Sequence, residues 1–321
     1  MQSLRDLRRR MLTPDISETK IDVRGFHVKN EESKELLETV GASFLAGYGY
    51  AAEAPTAAAA EHRLETVPTR FRGFAYEGAG MGFAVRDALR PGRPRHVAGL
   101  LAGRGDAHVY MIYVGVGWAM ARVPRMRWGQ LYAPDPLLRW LVLDGYGFHQ
   151  AYFHTDRYVY GQYRHPRFPW PAEGPSGYAD RVIDQGIGRA TWFVGGTDVD
   201  RVTEIFSAFP AHRRADLYAG AGLAATYAGG ADEAALHRFR DRAGDHRVDL
   251  AQGSAFAAGA RVRAGLVVGH NEVATQVFCG MSTAEASKVT DVTLPRDRDG
   301  GATPAYERWR QAIAAEFEGR C

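Results

Sequence analysis

Residues 76–84 read YEGAGMGFA, with Gly78 and Gly80 set inside an apolar, alanine-rich run. The same Gly-x-Gly spacing returns at Gly47 and Gly49, Gly115 and Gly117, Gly145 and Gly147, Gly186 and Gly188, and Gly220 and Gly222. Successive first glycines are 31, 37, 30, 41 and 34 residues apart, which is the range expected of a repeated supersecondary unit. A longer repeat overlies the shorter one. Tyr76–Ala84 aligns with YAGAGLAAT at Tyr218–Thr226, an offset of 142. The stretch YVGVGWAMARV at Tyr113–Val123 aligns more loosely with QGSAFAAGARV at Gln252–Val262, bringing Arg122 onto Arg261 at an offset of 139. Gly47 against Gly186 gives 139 again. These correspondences suggest a duplicated unit of about 140 residues.

Working outward from the glycines, the segments read as helices. Glu31–Ala52 follows Asn30, a good N-cap, has acidic residues in its first turn, and spaces Leu36, Leu37, Val40, Phe44 and Tyr48 near a 3.6 period. Pro136–Phe153 follows Asp135, and Asp198–Phe209 ends at Pro210. Ala231–Arg242 and Tyr306–Phe317 read as amphipathic surface helices. The expected fold is therefore all-α: an internally duplicated, pseudo-two-fold helical bundle with closely packed Gly-rich helices. An α+β arrangement stays open, because Ile21–Val28 has strand character and VYMIYVGVG at 109–117 is β-rich in composition. The expected organisation is one compact domain. It comprises a basic and extended segment over 1–30, a first repeat over 31–162, a Pro-rich linker over 163–177, a second repeat over 178–294 and a last helix over 295–321.

A glycine inside a helix costs about 1 kcal/mol relative to alanine. Two physical gains could offset it: two backbones can approach closely, or room opens for a bulky ligand. The second reading gives a groove for a long apolar molecule lined by glycine, Tyr48, Tyr76, Tyr113, Trp118, Tyr146 and Tyr218. A dinucleotide fingerprint at Gly220–Ala225 is disfavoured, since the charged stretch 212–216 precedes it instead of a buried strand.

Composition excludes several classes. Glycine makes up 37 of 321 residues against only 15 prolines and without a collagen period. The net charge of +3 is too weak for a nucleic-acid partner, and only four of the 40 basic residues are lysines. Two cysteines, Cys279 and Cys321, make no disulfide framework, and the histidines match no metal-ligand spacing. The basic start MQSLRDLRRRML lacks a following apolar core, so a cytoplasmic location is expected. Its Leu4, Leu7, Met11 and Leu12, set against Arg5, Arg8, Arg9 and Arg10, could dock peripherally on a membrane or membrane protein.

Two constellations could carry chemistry. Asp144 and His149 lie in the apolar run WLVLDGYGFHQAYFH, where a buried acid with a nearby imidazole could form an acid–base pair. The alternative is an Asp tied to an arginine and a core-edge histidine. Arg122 and Arg261, matched between the repeats, could clamp one anion or simply favour the ends of their helices.

The stretches RRRMLTPDISETKIDVRGFHV (8–28), RFRGFAYEGAGMGFAV (70–85), RWLVLDGYGFHQAYFH (139–154) and RRADLYAGAGLAATYAGG (213–230) resemble the domain-of-unknown-function family 1702 of actinobacterial enediyne antibiotic gene clusters. The resemblance runs from Leu7 to about Ser287 and brings no catalytic residues with it. It implies a setting in which a conjugated polyene made by an iterative polyketide synthase matures into an enediyne core. The implied partners are that hydrophobic intermediate and a membrane or redox protein of the same pathway, with a homodimer also open. The expected function is to act on, or to carry, that intermediate. Asp144 and His149 are the candidate catalytic residues, and Tyr76, Tyr113, Trp118, Arg122, Tyr146, Tyr218 and Arg261 the candidate ligand contacts. No cofactor is specified.

Overall fold

A computed structural model describes residues 13–319, apart from 90, 91, 93–95, 171–174, 176 and 299–301. The basic stretch 1–12 therefore lies outside the described residues. In the rest, helices follow one another with no strand: α1 (Ile21–Arg24), α2 (Glu31–Glu53), α3 (Ala57–Leu64), α4 (Thr69–Ala88), α5 (His96–Leu101), α6 (Val109–Met120), α7 (Leu141–Phe153), α8 (Tyr178–Val194), α9 (Val199–Ser207), α10 (Ala211–Ala228), α11 (Glu233–Ala243), α12 (Arg247–Arg263), α13 (Gly269–Cys279), α14 (Thr283–Val292) and α15 (Ala305–Ala315). The fold is all-α.

Caps set several of these boundaries. The Asn30 side chain accepts from the Ser33 N–H at the start of α2, Asp198 accepts from Asp200 and Arg201 at α9, and Asp232 accepts from Ala235 at α11. The strand suggested for Ile21–Val28 is instead the single turn of α1, ended by Gly25 at φ +67° and preceded by a 3₁₀ turn at Ile16–Thr19. In that turn only Ile21 is buried, so the alternation had no sheet face to serve. The β-rich run 109–117 is the start of α6, where burial on all sides decides in favour of the helix. The helix expected from Pro136 begins later: the Asp135 carboxylate caps Leu137 and Leu138, a 3₁₀ turn covers Leu138–Trp140, and α7 follows.

The glycines explain how the helices pack. α2, α4, α6, α7, α8, α10 and α12 form one row in which each helix meets the next glycine to carbonyl, in both directions. Gly47 faces the Ala75 carbonyl and Gly78 faces that of Phe44; Gly80 meets Ile112, and Gly115 meets Glu77. The row continues with Gly117 on Val142, Gly145 on Val114, Gly147 on Ile183 and Gly186 on Asp144. It ends with Gly188 on Leu217, Gly220 on Gln185, Gly222 on Leu250 and Gly253 on Ala219. At each position a Cβ would overlap the facing oxygen, so a Cα hydrogen points at it instead. In the five Gly-x-Gly pairs from Gly78 to Gly222 the first glycine serves one neighbour and the second the other. This row crosses from α7 to α8 without a break, so the expected repeats pack as one continuous body.

The row also curls. Gly73 on α4 abuts the Tyr227 hydroxyl on α10, and the Arg261 guanidinium at the end of α12 donates to the Arg70 carbonyl at the start of α4. The concave side is the protein interior.

Candidate functional site

Two spaces lie inside the curl. The first is a narrow space bounded by side chains from α2, α4, α6, α7, α8 and α10, with Pro14, Glu18 and Thr19 also lining it. The second, also narrow, is bounded by α6, α7, α8, α10, α12, α14 and α15. Met111, Arg189, Leu223 and Tyr227 line both, so these side chains stand between the two spaces. The first wall is largely aromatic: Phe44, Phe74, Trp118, Phe148, Tyr152, Phe153, Phe193 and Tyr227.

Between the two spaces sits a buried ionic group. An Arg189 nitrogen, Nη1, donates to Asp144, and Nη2 stands 3.5 Å from Glu77 Oε1. All three side chains are almost wholly removed from solvent. The glycine row places them: Glu77 precedes Gly78, Asp144 precedes Gly145, and Arg189 follows Gly188, so each charge stands beside a close backbone contact. One guanidinium faces two carboxylates. Burial pushes Glu77 up to about 7, opposed by Arg189 and the Trp118 indole and assisted by Asp144. Burial also raises Asp144, against the pull of Arg189. Arg189 and Asp144 form the charged pair, and Glu77 is the member that exchanges a proton near neutrality.

Polar atoms left without protein partners gather around the first space. The Trp118 Nε1–H, which lies near enough to Glu77 to favour its ionised form, has no partner of ordinary geometry, and neither has the Tyr227 hydroxyl. At the rim stands the exposed Arg122 guanidinium, which makes no ion pair among the described residues.

Of the residues singled out from the sequence, Trp118 and Arg122 line the first space and Asp144 the second. Asp144 and His149 make no hydrogen bond to each other. The His149 Nδ1 pairs with the Gln150 side chain, Nε2 has no partner, and the ring packs edge-on against Trp118. Burial drives His149 down to about 3, so it stays neutral. The expected tyrosines are committed elsewhere. The Tyr76 hydroxyl donates to Glu65 and its ring stacks on His108 at 3.7 Å; Tyr113 accepts from the Asp135 N–H; Tyr146 accepts from Gln150; Tyr218 stacks on His246. None of the four lines either space. Arg261 is buried, with its Nη atoms donating to the carbonyls of Leu266, Arg70 and Tyr227, so it shares no partner with Arg122. Glu77, Arg189 and Tyr227 were missed. A signal for the first two was present, since each is a charge directly flanking a Gly-x-Gly.

No helix among the described residues is long and apolar enough to cross a membrane. Residues 3–317 match the family described as a protein of unknown function, DUF1702. No curated protein and no solved structure matches the chain.

Proposed function

The chain belongs to the DUF1702 family, and on that premise we propose that it binds a long, apolar, conjugated molecule inside the curled row of helices. The observation that carries the reading is the pair of neighbouring, largely apolar spaces that share Met111, Arg189, Leu223 and Tyr227 as lining residues. A rod-like chain suits these narrow spaces better than a globular ligand, because it can reach from one to the other where those four side chains give way, its faces resting on flat rings. The conjugated polyene or polyyne class follows from the enediyne setting implied by the sequence resemblance, and the aromatic wall supports it. Arg122 supplies the polar end of the site: an exposed guanidinium at the rim, without an ion pair among the described residues, suits a carboxylate or similar anionic head.

The test is a titration with cis-parinaric acid, a fatty acid carrying a conjugated tetraene whose fluorescence rises when it leaves water. Saturable one-to-one binding is expected. Leu223→Trp, which adds bulk to a side chain lining both spaces, should abolish it. Arg122→Ala should weaken binding of the acid roughly tenfold and leave the methyl ester unchanged, as expected for one partly exposed ionic contact. No binding by the wild-type protein would contradict the reading.

A further inference from the structure

We propose that Glu77 is the acid and base of a double-bond isomerisation, giving a proton to one carbon of the bound polyene and removing one from another. The inference rests on the polyene reading above and adds the chemistry. Glu77 lines the first space alongside the ligand path, and Trp118 and Phe148 share that wall. Trp118 in turn packs against Phe44, with ring centroids 4.5 Å apart, and against Phe148 at 5.1 Å.

The charges close as well as the geometry does. With Glu77 protonated, Arg189 and Asp144 cancel and the group is neutral. When the Glu77 O–H bond breaks, its proton forms a new C–H bond with one end of a double bond, and the π pair is consumed in that bond. The ligand then carries one positive charge, spread along the remaining conjugation, and the ionic group carries one negative charge. The cation lies against aromatic faces, which attract it. The carboxylate left behind faces Arg189 and the Trp118 N–H, both of which favour its ionised form. Glu77 then removes a proton from a carbon next to the cationic stretch, the C–H pair becomes a new π bond, and the acid is restored. The product is an isomer of the substrate, so no oxidant, reductant or second substrate is required. Asp144, fixed by Arg189 and facing the other compartment, is a positioning residue: it holds the guanidinium that steadies the Glu77 carboxylate.

The test incubates the full chain with cis-parinaric acid in deuterium oxide and follows deuterium uptake by mass spectrometry and tetraene absorbance by spectroscopy. Wild type should incorporate solvent deuterium with a change in absorbance. Glu77→Gln should bind the probe equally and exchange roughly 10²–10⁴-fold more slowly, the usual contribution of a positioned acid. A second measurement needs no variant: wild-type exchange should fall as pH rises through about 7. The groups facing Glu77 do not mimic that profile. Arg189 and Tyr227 are both raised above their ordinary values, so neither titrates near 7. Binding without deuterium uptake, or uptake retained in Glu77→Gln, would overturn the proton transfer and leave the binding reading standing. Absence of binding would instead overturn the reading on which it rests.

Discussion

Glu77 is held as an acid by arithmetic among three side chains: two carboxylates share one guanidinium in a place that water does not reach. That has a consequence for stability. Its folded-state value, about 7, lies above its ordinary 4.5, so the native protein keeps a proton that the unfolded chain releases. Stability from this group is complete below about pH 4.5, falls as pH rises, and levels off above about 7, a loss of roughly 3 kcal/mol. Glu77→Gln cannot ionise and escapes that fall. The unfolding free energy of the variant relative to wild type, measured by urea titration, should therefore rise by a similar amount between pH 4.5 and 8. A difference that stays flat over that interval would contradict the assignment. At this scale the sequence was only partly legible. Asp144 could be picked out as a charge in an apolar run, but its partner could not, because Arg189 lies 45 residues away and meets it only through the packing of α7 on α8. The tyrosines beside the Gly-x-Gly pairs misled for a related reason. Those glycines are spent on neighbouring backbones, and flanking side chains such as Tyr76 and Tyr146 point away from the interior spaces toward partners of their own.

Helices were the most legible level, since the cap at Asn30 and a 3.6 period are local signals, although Asp198 and Asp232, read as helical residues, are the caps of α9 and α11. Close packing as the purpose of the glycines was also legible, from their helical setting alone. What the sequence did not contain was the division of labour within the five pairs from Gly78 to Gly222, one glycine to each neighbour, because that depends on which helices adjoin. The row makes a sharp distinction among glycines. Gly145→Ala would drive a methyl into the Val114 carbonyl and should destabilise the fold by about 2 kcal/mol or more, overpacking outweighing the gain in helix propensity. Gly269→Ala, at the first turn of α13 with no atom near its added methyl, should be neutral or slightly stabilising. Equal denaturation midpoints for the two variants would show that the close contacts do not hold the helices together.

Across the whole molecule, the curl is what turns a row of helices into a container. It was invisible in the sequence, since it depends on contacts such as Arg261 with the Arg70 carbonyl, 191 residues apart, and Gly73 with Tyr227. The same curl sets the two apolar spaces side by side and puts the ionic group between them, with Glu77 lining one, Asp144 the other and Arg189 both. The space proposed to hold a ligand differs from the glycine-lined groove expected from the sequence: it lies inside the curl, walled by Phe44, Trp118, Phe148 and Tyr227, while the glycines lie between helices. A crystal structure of the protein with cis-parinaric acid tests this most directly. The account predicts continuous ligand density with its carboxylate at Arg122 and its tetraene passing Glu77 toward Leu223 and Tyr227. Ligand found only on the outer surface, with side chains closing the space around Arg189, would contradict it.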